Sequence, residues 1–153
     1  MTNNDILRRI RYIFAFNDDK MIAIFGQANR EVTRAQISSW MKKDDDEDFA
    51  ALADVDFACF LNGLINDRRG RKEGVQAEPE KRLNNNIIFL KLKIALDFKA
   101  EDVLEMLKAG GMEISKHELS AFFRRADHKH YRECQTQCLR SFLKGLQLSL
   151  RGL

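Results

Sequence analysis

Proline is almost missing from this chain: Pro79 is the only one in 153 residues, and only eight glycines accompany it. With so few breakers, and with Leu, Lys, Glu, Arg and Ala abundant, helix is favoured over strand. No apolar run approaches the roughly 20 residues that span a bilayer, so a membrane protein of the helical kind is not expected. The opening MTNNDILRRIRYI has neither the apolar stretch nor the small-residue cleavage site of a secretory signal. A cytoplasmic protein is therefore expected. Three cysteines, Cys59, Cys134 and Cys138, make an odd set, and in that compartment they read as reduced thiols on apolar helix faces.

Catalytic signatures are equally scarce. There is no glycine-rich phosphate loop and no nucleophile elbow. His128, His130, Cys134 and Cys138 have metal-ligand character. The positions 82 residues earlier hold Asp46, Asp48, Leu52 and Asp56, and no CxxC pair exists, so the cysteines read as small core residues. No cofactor, metal or catalytic residue is expected, and the chain reads as a non-enzyme.

What the chain does contain is itself, twice. Shifted by 82 residues it aligns without a gap from Asn3–Gly70 to Asn85–Gly152, with 13 of 68 positions identical. Among them are Asn3/Asn85, Asn4/Asn86, Glu31/Glu113, Asp45/Asp127, Phe60/Phe142, Leu61/Leu143 and Gly63/Gly145. One supersecondary unit is written two times. Residues 1–70 form repeat one, the polar stretch 71–82 (RKEGVQAEPEKR) a linker, and 83–153 repeat two. The expected fold is all-α: a tandem duplication of a four-helix repeat packed with pseudo-twofold symmetry.

Within each repeat the apolar spacing predicts four helices. The first covers about 3–15 and 85–97, the second 18–28 and 100–109, and the fourth 52–67 and 133–149. The second should stop at the aligned Asn29 and Gly111, residue types that tolerate the left-handed conformation. The third opens on a capping box in both copies, Thr33–Gln36 and Ser115–Glu118. Leu52, Val55, Phe60, Leu61 and Leu64 are expected on the core face of the fourth. Gly63 and Gly145 lie mid-helix, where glycine costs about 1 kcal/mol against alanine. Close backbone approach is the expected reason, with a crossing of the two fourth helices as its site, unless each of those helices ends early.

Charge divides the copies. Residues 1–70 carry 10 basic and 12 acidic side chains, whereas 83–153 carry 12 and 8. The contrast peaks after the third helix. Asp44, Asp45, Asp46, Glu47 and Asp48 form an acidic loop in repeat one. The matching stretch of repeat two is basic, with Arg124, Arg125, His128, Lys129, His130 and Arg132 around Tyr131, and Lys116 nearby on the third helix. The cations suit phosphate contact and the tyrosine suits stacking on a base. A helix-turn-helix reading, with Arg34, Gln36, Ser38 and Lys42 or Lys116, His117, Ser120 and Arg124 facing DNA, is opposed by Phe25, which stands where that motif needs a small residue. It is opposed also by the five carboxylates that follow in repeat one. Alternatively the loops of opposite sign face each other, within one molecule or between two.

Assembled, these segments resemble a known family. NNDILRRIRYIF, VTRAQISSWMKKDDDEDF and FLNGLINDRRG in repeat one, with NNIIFLKLKIAL, EISKHELSAFFRRADHKHYREC and LRSFLKGL in repeat two, are similar to the bacterial YehS-like proteins, a duplicated domain of unknown function (number 1456). The resemblance covers essentially the whole chain. It implies a small bacterial cytoplasmic protein of two helical copies, and it brings no reaction, substrate or site residue with it. The function expected is an interaction module that binds a protein partner or itself. Nucleic-acid binding through the basic stretch of repeat two is the alternative.

Overall fold

Side chains that satisfy the loose ends of the backbone set where each helix starts. In the computed structural model, which describes residues 1–152, eight α-helices form and no strand occurs among those residues. Repeat one supplies α1 (Asn3–Phe14), α2 (Asp18–Gln27), α3 (Arg34–Met41) and α4 (Asp54–Arg69). Repeat two supplies α5 (Asn85–Ala95), α6 (Ala100–Ala109), α7 (Lys116–Phe122) and α8 (Thr136–Arg151). The fold is all-α and tandemly duplicated, as the repeat and its periodicity predict. Two compact units result: Met1–Leu83, and a second that begins at Asn84.

Both capping boxes of the third helices are in place. Thr33 Oγ1 accepts from Gln36 N–H at 3.1 Å while Gln36 Oε1 accepts from Thr33 N–H at 2.8 Å. Ser115 and Glu118 do the same at 3.0 Å each way. The α2 and α6 helices end on left-handed Asn29 (φ 60°) and Gly111 (φ 94°). That turn lets the next amide reach back to the helix, with Arg30 N–H to Phe25 O at 3.1 Å and Met112 N–H to Leu107 O at 2.8 Å.

The core of unit one comes from Ile6, Leu7, Ile10 and Ile13 of α1, Met21, Ile24 and Phe25 of α2, Ile37 and Trp40 of α3, and Phe57, Phe60, Leu61 and Leu64 of α4. Unit two repeats the plan with an exchange of bulk. Phe25 of α2, packed on Trp40 and Phe60 with centroids 5.4 and 5.2 Å away, is replaced by Leu107. Leu7 of α1 is replaced by Phe89, which meets Phe142 at 4.8 Å. The aromatic ring has moved to a neighbouring helix, so total volume is kept, the kind of change cores tolerate.

Two expectations about the fourth helices need correction. Val55 is 39% exposed. It stands two residues, or about 200°, from Phe57, on the far side of the stripe that buries 57, 60, 61 and 64. The helices also begin later than expected, at Asp54 and Thr136, where the carbonyls of Leu52 and Cys134, which an earlier helix start would need as acceptors, are taken by Asn3 and Asn85. Cys134 therefore precedes α8 instead of lying on its face.

The mid-helix glycines do mark close backbone approach, and neither fourth helix ends early. The backbone that comes close, however, belongs to the second helix of the same repeat, which replaces the expected crossing of the fourth helices as the reason for the glycine. A Cβ on Gly63 would lie 1.9 Å from Ile24 O, and one on Gly145 1.8 Å from Met106 O. Gly110, at the end of α6, is equally tight against Ser141 O at 1.8 Å. Thus α4 packs on α2, and α8 on α6, at a distance only glycine permits.

Candidate interaction loops

The late start of the fourth helices leads to the candidate site, because the segment before each one is held by an asparagine. In unit one the buried Asn4 donates through Nδ2 to Trp40 O at 3.0 Å and Ala50 O at 2.9 Å, and its Oδ1 accepts from Leu52 N–H at 2.9 Å. In unit two Asn86 does the same with Phe122 O at 3.0 Å, Arg132 O at 2.7 Å and Cys134 N–H at 2.9 Å. Asn3 and Asn85 add bonds to Leu52 O and Cys134 O at 3.1 and 3.0 Å. Each asparagine pair ties the end of the third helix and the start of the next segment to the first helix. It thereby fixes both ends of the loop between them. The identity of these residues in the two copies was the available signal for this role.

The held loops have one main-chain conformation. Asp46 N–H bonds Lys43 O, Phe49 N–H bonds Asp46 O and Ala50 N–H bonds Ser39 O at 3.0, 3.1 and 3.1 Å. Their counterparts are His128 to Arg125, Tyr131 to His128 and Arg132 to Ala121, at 2.9, 3.0 and 3.1 Å. Even the side-chain bond that closes the turn is reproduced: Asp46 Oδ1 accepts from Asp48 N–H at 2.8 Å, and His128 Nδ1 from His130 N–H at 3.0 Å.

On this shared backbone the charges invert. Asp44, Asp45, Asp46, Glu47 and Asp48 are all exposed, and among the described residues none has a cationic partner. In unit two Arg125, 87% exposed at its side chain, pairs with Asp127 at 3.3 Å. Lys129, His130 and Arg132 are exposed and Arg124 half-buried, and among the described residues none of the four is ion-paired.

Two of the expected site residues stand apart. Lys116, at the opposite end of α7, pairs with Glu101 of α6 at 2.8 Å. The same pair exists in unit one between Arg34 of α3 and Asp19 of α2. It is a repeated inter-helix contact, and it draws Glu101 below the usual carboxylate range through the Lys116 hydrogen bond. Tyr131 is half-buried, and desolvation, with Glu133 adding, pushes its phenol above the usual value. Its ring is thus partly taken up by the fold. The basic cluster reduces to the half-buried Arg124 and the exposed Arg125, His128, Lys129, His130 and Arg132.

Elsewhere, polar groups serve the scaffold. A pocket of about 90 Å³ beside α4 is lined by Ala28, Asn62, Asn66 and Gln76 among others. Asn66 there donates to Gln27 O and Gln76 Oε1 at 2.9 and 3.0 Å, which pins the connector onto unit one. Cys134 and Cys138 are buried and unbridged. The hydrogen bond between their thiols pushes Cys134 up, with burial adding to it, and lowers Cys138 against the opposing effect of burial.

Comparison with known proteins matches these two four-helix units one for one. The profile of the family described as "Protein of unknown function (DUF1456)" matches residues 3–70 and again 85–152. The chain belongs to this family. It is 44% identical over 147 residues to the uncharacterized protein YehS of Escherichia coli (strain K12), covering 95% of this chain and 94% of that protein. No solved structure matches the chain. Among the described residues no helix is long and apolar enough to cross a membrane.

Proposed function

We propose that this DUF1456 protein is a non-enzymatic interaction module that binds protein partners, itself included, through the loops after its third helices. The observation that carries the reading is the pair of loops with one hydrogen-bond pattern and opposite charge, largely without counter-ions in their own units. Complementary potentials of that kind set partner choice and register. We place the module in the bacterial cytoplasm, which its unbridged cysteines suit.

Two full-length charge-reversed variants test this. One carries Arg124→Glu, Lys129→Glu and Arg132→Glu, and the other Asp44→Lys, Asp45→Lys and Glu47→Lys. Asp46 is spared because it closes its turn. Sedimentation at low salt should show wild-type self-association that each variant loses alone and the mixture of both restores. Association that ignores both salt and the substitutions would refute the self-binding form of the proposal.

The unpaired Arg124, Lys129, His130 and Arg132 support a second reading, contact with a nucleic-acid backbone. Affinity for oligonucleotides would then fall with salt with a log–log slope of about −2 to −4 for a handful of phosphate contacts. The Arg124/Lys129/Arg132 reversal would abolish it, while the acidic-loop reversal would not. Absence of binding in 50 mM salt rules this reading out.

A further inference from the structure

The two loops close their turns with the same bond from chemically different acceptors. In unit one the acceptor is a carboxylate, Asp46 Oδ1, 2.8 Å from Asp48 N–H. In unit two it is an imidazole nitrogen, His128 Nδ1, 3.0 Å from His130 N–H. An aspartate remains an acceptor across the neutral range. An imidazole accepts only through a nitrogen that carries no proton, and histidine is the side chain whose proton uptake ordinarily falls between pH 5 and 8. Once Nδ1 is protonated, an N–H stands opposite an N–H and the bond cannot form.

The geometry points to a pH-sensitive latch in the basic loop of unit two: the His128–His130 turn is closed while His128 Nδ1 is a bare acceptor and opens when that nitrogen takes up a proton. The His128 ring also lies beside the His130 ring, with centroids 5.6 Å apart. The charged neighbours on its own segment are Arg124, Arg125, Asp127, Lys129, His130, Arg132 and Glu133. From α7, Glu118 interacts with Arg132. Among the described residues, no side chain of α5, α6 or α8 makes a hydrogen bond or ion pair with His128. Among the described residues, no second hydrogen bond or ion pair therefore holds the ring in its accepting orientation. Opening the latch also adds positive charge to a segment already rich in cations, so loop geometry and charge change together. The matching turn at Asp46 stays closed over the same range and acts as an internal reference. This inference concerns the loop itself and does not rest on the proposed partner.

The test is nitrogen-15 NMR on the full-length protein between pH 8 and 5. At pH 8 the His128 imidazole should show its proton on Nε2, with Nδ1 bare. As pH falls, the His130 amide should shift with the His128 ring titration. Its exchange, corrected for the intrinsic pH dependence, should speed up at least about fivefold, the loss of one net hydrogen bond. The Asp48 amide should not change. His128→Asn keeps an acceptor at every pH and should remove the response. His130→Gln should retain it, which separates the two histidines. A wild-type ring with its proton on Nδ1 at pH 8, or an acceleration of His130 amide exchange that survives His128→Asn, would overturn the inference. The tautomer measurement needs no variant.

Discussion

Replacing Gly145 by alanine tests the closest packing in the protein. The new Cβ would sit 1.8 Å from Met106 O, where real Cβ contacts stay above 3.0 Å. The backbones of α6 and α8 must therefore part by more than 1 Å along that line, because the obstacle is main chain and cannot rotate aside. Val103 and Leu107 of α6, and Leu139, Phe142 and Leu146 of α8, are buried around it. A gap of that size forfeits a quarter to a half of each dispersion contact. Overpacking of this kind costs about 1–3 kcal/mol, and a backbone obstacle argues for about 3. Alanine returns about 1 kcal/mol of helix propensity, leaving a net loss of about 2 kcal/mol. Urea unfolding followed by circular dichroism should show this as a midpoint lowered by about 1 M, at a slope of about 2 kcal/mol/M. Gly63→Ala, 1.9 Å from Ile24 O, should behave alike. Gly26→Ala is the control: nothing lies within 4 Å of its Cβ and its φ is not positive, so it should be neutral or gain up to about 1 kcal/mol. If Gly145→Ala and Gly63→Ala are as stable as Gly26→Ala, the packing argument fails.

Asn86→Ala leaves Phe122 O, Arg132 O and Cys134 N–H without their partner. It should cost about 3 kcal/mol and speed exchange of the Cys134 amide; a loss under about 0.5 kcal/mol in denaturant would show that the clamp is dispensable. Thr33→Ala removes the cap of α3 and should cost about 1 kcal/mol, read from the same unfolding curves. Hydrogen bonds from the Ser115 backbone and then its hydroxyl hold Glu118 below its usual carboxylate range. A group depressed in the folded state stabilises above its unfolded value and loses that contribution as pH falls through its folded one. Glu118→Gln keeps the cap without titrating, so its thermal midpoint should fall less than that of the wild type on acidification below about pH 5. Parallel curves would show that Glu118 has no part in acid sensitivity.

Local chemistry was readable in advance, and non-local partners were not. Both third-helix caps, the left-handed Asn29 and Gly111, and the apolar stripes follow from residues within a few positions of one another. The start of α4 does not, since Asn3 claims the Leu52 carbonyl from 49 residues away. Gly63 announced a close contact, but a glycine carries no mark of which helix approaches it. The same limit applies at the candidate site. The charge of Arg124, Lys129 and Arg132 is legible in sequence, whereas the Glu101 partner of Lys116 and the half-burial of Tyr131 arise only when helices pack.

Because the chain holds two copies of one scaffold, each position has a built-in comparison. The pairs that hold the fold are kept or exchanged for equivalents: Asn4/Asn86 at the clamp, Gly63/Gly145 at the helix contact, Thr33/Ser115 at the cap, Arg34/Lys116 with Asp19/Glu101 across helices. The stretch 44–50 against 126–132 obeys a different rule. Its main-chain bonds are preserved to within about 0.1 Å, yet only Asp45/Asp127 survives, and five carboxylates without a cation become one carboxylate with a lysine and an arginine. A scaffold that carries both versions equally well does not demand either sign. Apart from Arg125–Asp127 and the Glu118–Arg132 interaction, the charges have no counter-ion within their own units among the described residues, so the fold makes little use of them. Their cost, the mutual repulsion of like charges crowded on one turn, falls on the fold alone. That imbalance makes these loops, rather than the repeated helix contacts, the place to look for what the protein meets.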